Sequence, residues 1–282
     1  MLARFAPWLF VLLWSSGFIG AKLGLPHAEP LSFLSVRYAL VLSLLLPLAL
    51  AMRAPWPHDR RQWLHIGISG LLLHGLYLGG VFVAIHQGLP AGITALVVGM
   101  QPLLTAFGAA LLLGEAVTRR QWLGLVLGLA GVALVVSGKV GAGSPLQALW
   151  PAVIALLGIT AGTLYQKLFC PRFDLRSGAV VQFLPTAVLT ALVASVVEDF
   201  RIDWTGEFIF ALAWLVLALS VGAIALLNFL IRSGSAVNVA GLFYLTPPTT
   251  ALLAWAIFGE TLTGVMVAGM ALAVGGVYLS RR

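Results

Sequence analysis

Charge is scarce in this chain, and acidic charge is scarcest. Nine of 282 residues are Asp or Glu, and 9% in all are charged, against 61% hydrophobic. A soluble domain of this size cannot hide so much apolar surface, so the chain is expected to cross a membrane many times. Cysteine is nearly absent too. Cys170 stands alone, which excludes a disulfide framework and any zinc-type Cys/His spacing. There is no nucleotide-binding loop, no His-Glu-x-x-His and no nucleophile elbow. Neither a metal nor a cofactor is expected, and no enzyme activity. The net charge of +7 is scattered through short loops rather than gathered into a nucleic-acid surface.

What is present is repetition. Gly114-Glu115 and Gly259-Glu260 close two apolar stretches, 145 positions apart. The same offset superposes Lys22 on Lys167, Pro102 on Pro247 and Gly131 on Gly276 without a gap. Apolar runs long enough to cross the hydrocarbon predict ten spans, near 5–24, 32–52, 64–85, 91–113, 120–137, 147–169, 177–197, 207–231, 236–258 and 262–280. The first run, up to Ala21, reads as a span rather than a cleaved signal.

The basic residues give an orientation. With the N-terminus in the cytoplasm, eleven arginines fall on the cytoplasmic side and only Lys139 and Arg201 outside. Both termini are therefore expected to be cytoplasmic. Five spans per half is an odd number. The halves, 1–138 and 146–282, must then enter the membrane from opposite sides, as an inverted repeat around a central cavity. Such halves can rock about a site near the midplane.

Polar and aromatic residues inside the spans are the candidates for that site. Trp14 lies in the first span. His74 and Tyr77 are three apart on one face of the third. Gln101 flanks Pro102 in the fourth, and Tyr165 and Lys167 end the sixth. Asn228 is an amide deep in the eighth, and Tyr244 precedes Pro247 and Pro248 in the ninth. The prolines predict kinks that wall a cavity. Each residue also has a plainer use: His74 and Asn228 as bonds between helices, Lys167 as a cation snorkelling to the interface. None of the nine carboxylates falls mid-span. Either His74 carries protons, or the protein is a facilitator or exchanger without a coupling ion. Gly124, Gly128 and Gly131, with Gly269 and Gly276, predict close helix packing within a monomer or in a homodimer.

The paired blocks "MQPLLTAFGAALLLGEAVTRRQWLGLVLGLAGVALV" and "LTPPTTALLAWAIFGETLTGVMVAGMALAVGGVYL" place a Pro twelve residues before Gly-Glu in both halves. With "LWSSGFIGAKLGL" and "PLSFLSVRYAL", they make the chain resemble the drug/metabolite transporter superfamily, specifically its ten-helix EamA-type members. The resemblance covers the whole chain. It implies a basket-like bundle in the bacterial inner membrane and export of amino acids or related metabolites. Within the superfamily the chain looks most like the YddG-like aromatic amino acid exporters. An exporter of another solute, such as a nucleobase or a drug, with proton coupling through His74, stays open. An intramembrane enzyme is the reading of another class.

Overall fold

The structure is a computed structural model that describes residues 2–113, 118–140, 146–170, 173–223, 226 and 243–280. Among these the chain is helical, and two chain segments touch as strands at a single bridge, Ala28 to Ile202. Among the described residues, six helical stretches are long and apolar enough to cross a membrane, and three shorter apolar ones accompany them.

The helices are α1 (Leu2–Gly24), α2 (Pro30–Ala51), α3 (Arg60–Gly70), α4 (Tyr77–His86), α5 (Ala91–Val98), α6 (Gln101–Leu113), α7 (Arg119–Val140), α8 (Leu149–Phe169), α9 (Leu175–Val197), α10 (Gly206–Ala213), α11 (Thr246–Phe258) and α12 (Gly264–Ser280). Two π-helical segments continue spans rather than ending them. Leu71–Leu76 joins α3 to α4, and Trp214–Ala223 extends α10.

Helix starts are set by local chemistry. Asp59 accepts the Gln62 N–H at 2.6 Å, Asp174 that of Arg176 at 2.9 Å, and Thr205 that of Phe208 at 3.2 Å. At α2 the cap comes from another helix. Glu198, at the end of α9, accepts the Leu31 and Ser32 N–H groups at 2.9 and 2.7 Å. A carboxylate there meets the positive end of the α2 dipole. Gly259 ends α11 in the left-handed region, φ 65°, which a residue with a Cβ resists.

The prolines do not sit in the middle of continuous helices. Pro102 is the second residue of α6, after a break at Gly99 and Met100. Pro247 and Pro248 lie in the first turn of α11, after a 3-10 turn at Phe243–Leu245. Proline suits a first turn because its missing donor would be unpaired there anyway. The fourth span is therefore interrupted rather than kinked, and α11 starts afresh at Thr246. A Cβ at Gly99 would lie 2.8 Å from Pro247 Cγ, so the break in the fourth span touches the start of α11.

Packing links the two sequence halves throughout. α2 packs on α9, α5 on α11 and α7 on α12. α1 packs on α10 and its π-segment, while α3 and α4 pack on α8. The α7–α12 contact is closest at glycine. A Cβ at Gly276 would lie 2.6 Å from the Gly124 carbonyl, and one at Gly131 would lie 2.5 Å from that of Gly269. The glycine stripe is thus used inside the monomer. The main buried cluster includes Phe33, Tyr38, Phe82 and Phe208. Large apolar side chains such as Phe5, Trp8, Leu192, Val196 and Trp255 are exposed on its outside, where lipid would cover them.

Candidate functional site

A cavity of about 220 Å³ lies at the centre of the bundle. Its wall is drawn from both halves of the sequence. α1 supplies Trp14, Gly17 and Phe18, and α2 supplies Arg37. The first π-segment and α4 supply Leu73, His74, Tyr77, Leu78, Val81 and Phe82. α8 supplies Ile159, α9 supplies Phe183, and the second π-segment supplies Leu215, Leu219 and Ser220. The offset of 145 carries 71–76 onto 216–221, inside the second π-segment. Both sides of the cavity are thus walled by the same irregularity. A π-turn widens a helix and redirects its side chains and carbonyls, which is why it concentrates at functional sites.

The wall is mostly aromatic and aliphatic, with few polar groups. The His74 ring lies flat on Phe183, centroids 4.1 Å apart. Its backbone carbonyl accepts the Tyr38 hydroxyl proton at 2.6 Å, which ties the π-segment to α2. Trp14 stands edge-on to Phe243 at 5.0 Å and tilted against Phe10 at 5.5 Å, so its ring is held from behind. Arg37 is buried. One Nη donates to Ser220 Oγ at 3.4 Å, and its Nε has no hydrogen-bond partner.

Of the residues singled out in the sequence, Trp14, His74 and Tyr77 come together on this cavity. Gln101 lies off it: its amide donates to Thr105 Oγ1 at 3.0 Å and Thr163 Oγ1 at 3.3 Å, tying α6 to α8. Tyr165 also lies off it, with its hydroxyl 2.7 Å from His65 Nδ1. Lys167 lines a separate recess with Leu73, Thr163, Gln166 and Cys170. Leu73 belongs to both walls and so stands between the two spaces. Tyr244 sits in the 3-10 turn before α11, and Asn228 lies outside the described residues. Pro102, Pro247 and Pro248 do not line the cavity. Their spans stand behind α1, where Ser15 Oγ reaches the Thr246 carbonyl at 3.4 Å.

Phe18, Phe82 and Phe183 carry no signal that separates them from a phenylalanine facing lipid. Arg37 does carry one, since it is a cation inside an apolar run whose counterpart at the same offset is the polar Gln182. Gln182 is itself buried, and its amide donates to Ser69 Oγ and Gln166 Oε1, both at 3.0 Å.

One end of the bundle is tied shut across the halves. Lys22, at the end of α1, pairs with Glu260 and lies 4.6 Å from the centre of the Phe258 ring. The same Glu260 oxygen accepts the Ala91 N–H at 3.2 Å, at the start of α5. Beside it, Glu198 caps α2, His27 meets Glu207 at 3.2 Å, and Glu29 accepts the Asp199 N–H at 2.9 Å. All eight described carboxylates thus sit at helix ends or in loops, and none lines the cavity.

A model of the EamA-like transporter family matches the chain twice, over residues 5–137 and 146–282. Among similar proteins is the inner membrane transporter YedA of Escherichia coli K12, 30% identical over 280 residues, covering 95% of this chain and 89% of YedA. A probable amino-acid metabolite efflux pump of Salmonella typhimurium is 25% identical over 287 residues, with 96% and 92% covered. A crystal structure 21% identical in sequence has the same fold, with a TM-score of 0.67 over 98% of this chain and 94% of that one. With family matches over both of its halves, this multi-pass helical chain belongs to the EamA-like transporter family.

Proposed function

We propose that the chain exports amino acids, aromatic ones foremost, and related metabolites across the bacterial inner membrane by alternating access. The observation that carries this is the central cavity, walled by both sequence halves and bordered on each side by a π-segment. Its aromatic wall suits a flat apolar body. The relatives' names support an inner-membrane site and efflux of amino-acid metabolites.

The packing supports such a movement. Residues 1–138 and 146–282 are read as inverted five-span repeats. Under a two-fold axis each contact has a mate, and the pairings fit that rule: second span on second, fourth on fourth, fifth on fifth, and first on third in both directions. Rocking about such an axis closes one mouth as it opens the other. With both termini in the cytoplasm, the tied end faces outward, and unloading requires the Lys22–Glu260 clasp to part. None of the described carboxylates lines the cavity, so the reading is a facilitator or exchanger. Purified protein in liposomes loaded with labelled phenylalanine should give saturable efflux, accelerated by unlabelled phenylalanine outside. Correctly folded protein without flux of any amino acid would refute the proposal.

A further inference from the structure

We infer that Arg37 is the anchor of the cavity's ligand, and that this ligand is an organic carboxylate with an apolar body, its amine optional. The inference rests on the transporter reading and gives its site a chemical class.

Arg37 is more than nine-tenths buried and lines the cavity. A guanidinium has five donors. Here one Nη makes a long contact to Ser220 Oγ at 3.4 Å, and Nε is buried with no partner at all. An arginine that merely joined helices would take backbone carbonyls or a carboxylate. A buried cation left so poorly paired is costly, and the cost is recovered when an anion arrives. The guanidinium fork fits a carboxylate with two parallel hydrogen bonds. Ser220, held beside it on the second π-segment, lies within reach of the same oxygens.

Around that charge the wall is apolar. Trp14, Phe18, Phe82 and Phe183 surround the space a side group would fill. An ammonium group placed there would find no carboxylate among the described residues that line the cavity. It would have ring faces, the Ser220 and Tyr77 hydroxyls and the His74 imidazole, none of them an anion. The site therefore discriminates by sign: carboxylate required, amine tolerated, and a cation without a carboxylate excluded. This separates the cavity from one built for polyamines or cationic drugs.

Three probes sharing one ring test this: 3-phenylpropionate, phenylalanine and phenethylamine. Binding to the purified full-length protein is followed by thermal shift and by tryptophan fluorescence. The wild type should bind 3-phenylpropionate and phenylalanine, and should bind phenethylamine at least tenfold more weakly. Arg37→Gln should lose at least tenfold in affinity for both carboxylates. Arg37→Lys, which keeps the charge but not the fork, should fall between. Phenethylamine binding as tightly as 3-phenylpropionate, no binding of any probe to wild type, or carboxylate binding unchanged in Arg37→Gln would each overturn the inference. If Arg37→Gln does not fold, the wild-type comparison decides alone. Liposome efflux separates the two claims. Selective binding without flux would retain the anchor and reject the transporter reading, whereas equal flux through wild type and Arg37→Gln would do the reverse.

Discussion

At the scale of single residues, the cavity depends on how a few side chains are held. Tyr38 illustrates this, since its hydroxyl donates to the His74 carbonyl inside the first π-segment. Tyr38→Phe removes that bond and leaves a buried carbonyl weakly satisfied, at a cost of about 1 kcal/mol. The π-segment should then relax, and flux should fall several-fold while the apparent melting temperature drops by a few degrees at most. A melting curve unchanged alongside unchanged flux would mean the bond is idle. Residues such as Trp14, His74 and Tyr77 were legible in the sequence because each interrupts an apolar run with a polar atom. Phe18, Phe82 and Phe183 were not, because a polytopic helix is apolar on the faces that meet lipid, partner and cavity alike. Arg37 was legible as an oddity but not as a lining residue. Its placement depends on the α2–α9 contact and the second π-segment, neither of which leaves a local pattern.

At the scale of elements, two devices shape the bundle: interrupted spans and glycine contacts. Pro102 and Pro247 mark irregular points in the sequence, which it offers as kinks. The structure starts new helices there, because a proline two residues into a helix loses nothing. Pro102→Ala and Pro247→Ala should therefore leave each helix start formed and change stability by about 1 kcal/mol or less. Larger losses, read as a steep drop in melting temperature, would point to a strained continuous span instead. The glycine contact predicts the opposite sensitivity. A side chain at Gly276 would press on the backbone of α7. Gly276→Leu should cost about 1–3 kcal/mol or more and loosen α7 from α12, measurable as faster proteolysis between them. The glycine stripe was legible as a spacing, and the partner it meets was left open by spacing alone. At the opposite edge of the membrane from the clasp, Arg176 holds the Asp174 carboxyl down to about 2, below its ordinary value of 3.8. The α9 cap therefore contributes fully above that ordinary value and is lost as pH falls toward 2.

For the whole molecule, the tied end is the element most directly testable. Lys22, Glu260 and the Ala91 N–H join α1, α11 and α5 across the two halves. In the proposed orientation they hold the outer mouth closed. Glu260→Gln weakens the clasp, and a change of about 1–2 kcal/mol moves the balance of open and closed forms roughly 5–30-fold. A Leu219→Cys reporter in the cavity, in a Cys170→Ser background, should then react faster with an impermeant maleimide added outside intact cells. Labelling that ignores Glu260→Gln would remove the clasp from the gating scheme. The sequence offers the duplication on which this proposal draws in Gly114-Glu115 and Gly259-Glu260. The clasp itself was not, because nothing in the sequence pairs Lys22 with a residue so far along the chain.

The buried guanidinium also has an electrical consequence. A cell interior is negative, and one elementary charge crossing the membrane is worth about 2.3 kcal/mol per 100 mV. If the passenger is a monoanion anchored at Arg37, that voltage alone pushes it outward, supporting roughly a fifty-fold concentration ratio per 100 mV. Arginine stays with the protein, so each cycle moves only the charge of the passenger. For such a passenger the proposed export needs no proton circuit, in keeping with a cavity that none of the described carboxylates lines. In that case the resting potential does the pumping. 3-Phenylpropionate should carry a steady current, and zwitterionic phenylalanine should carry none.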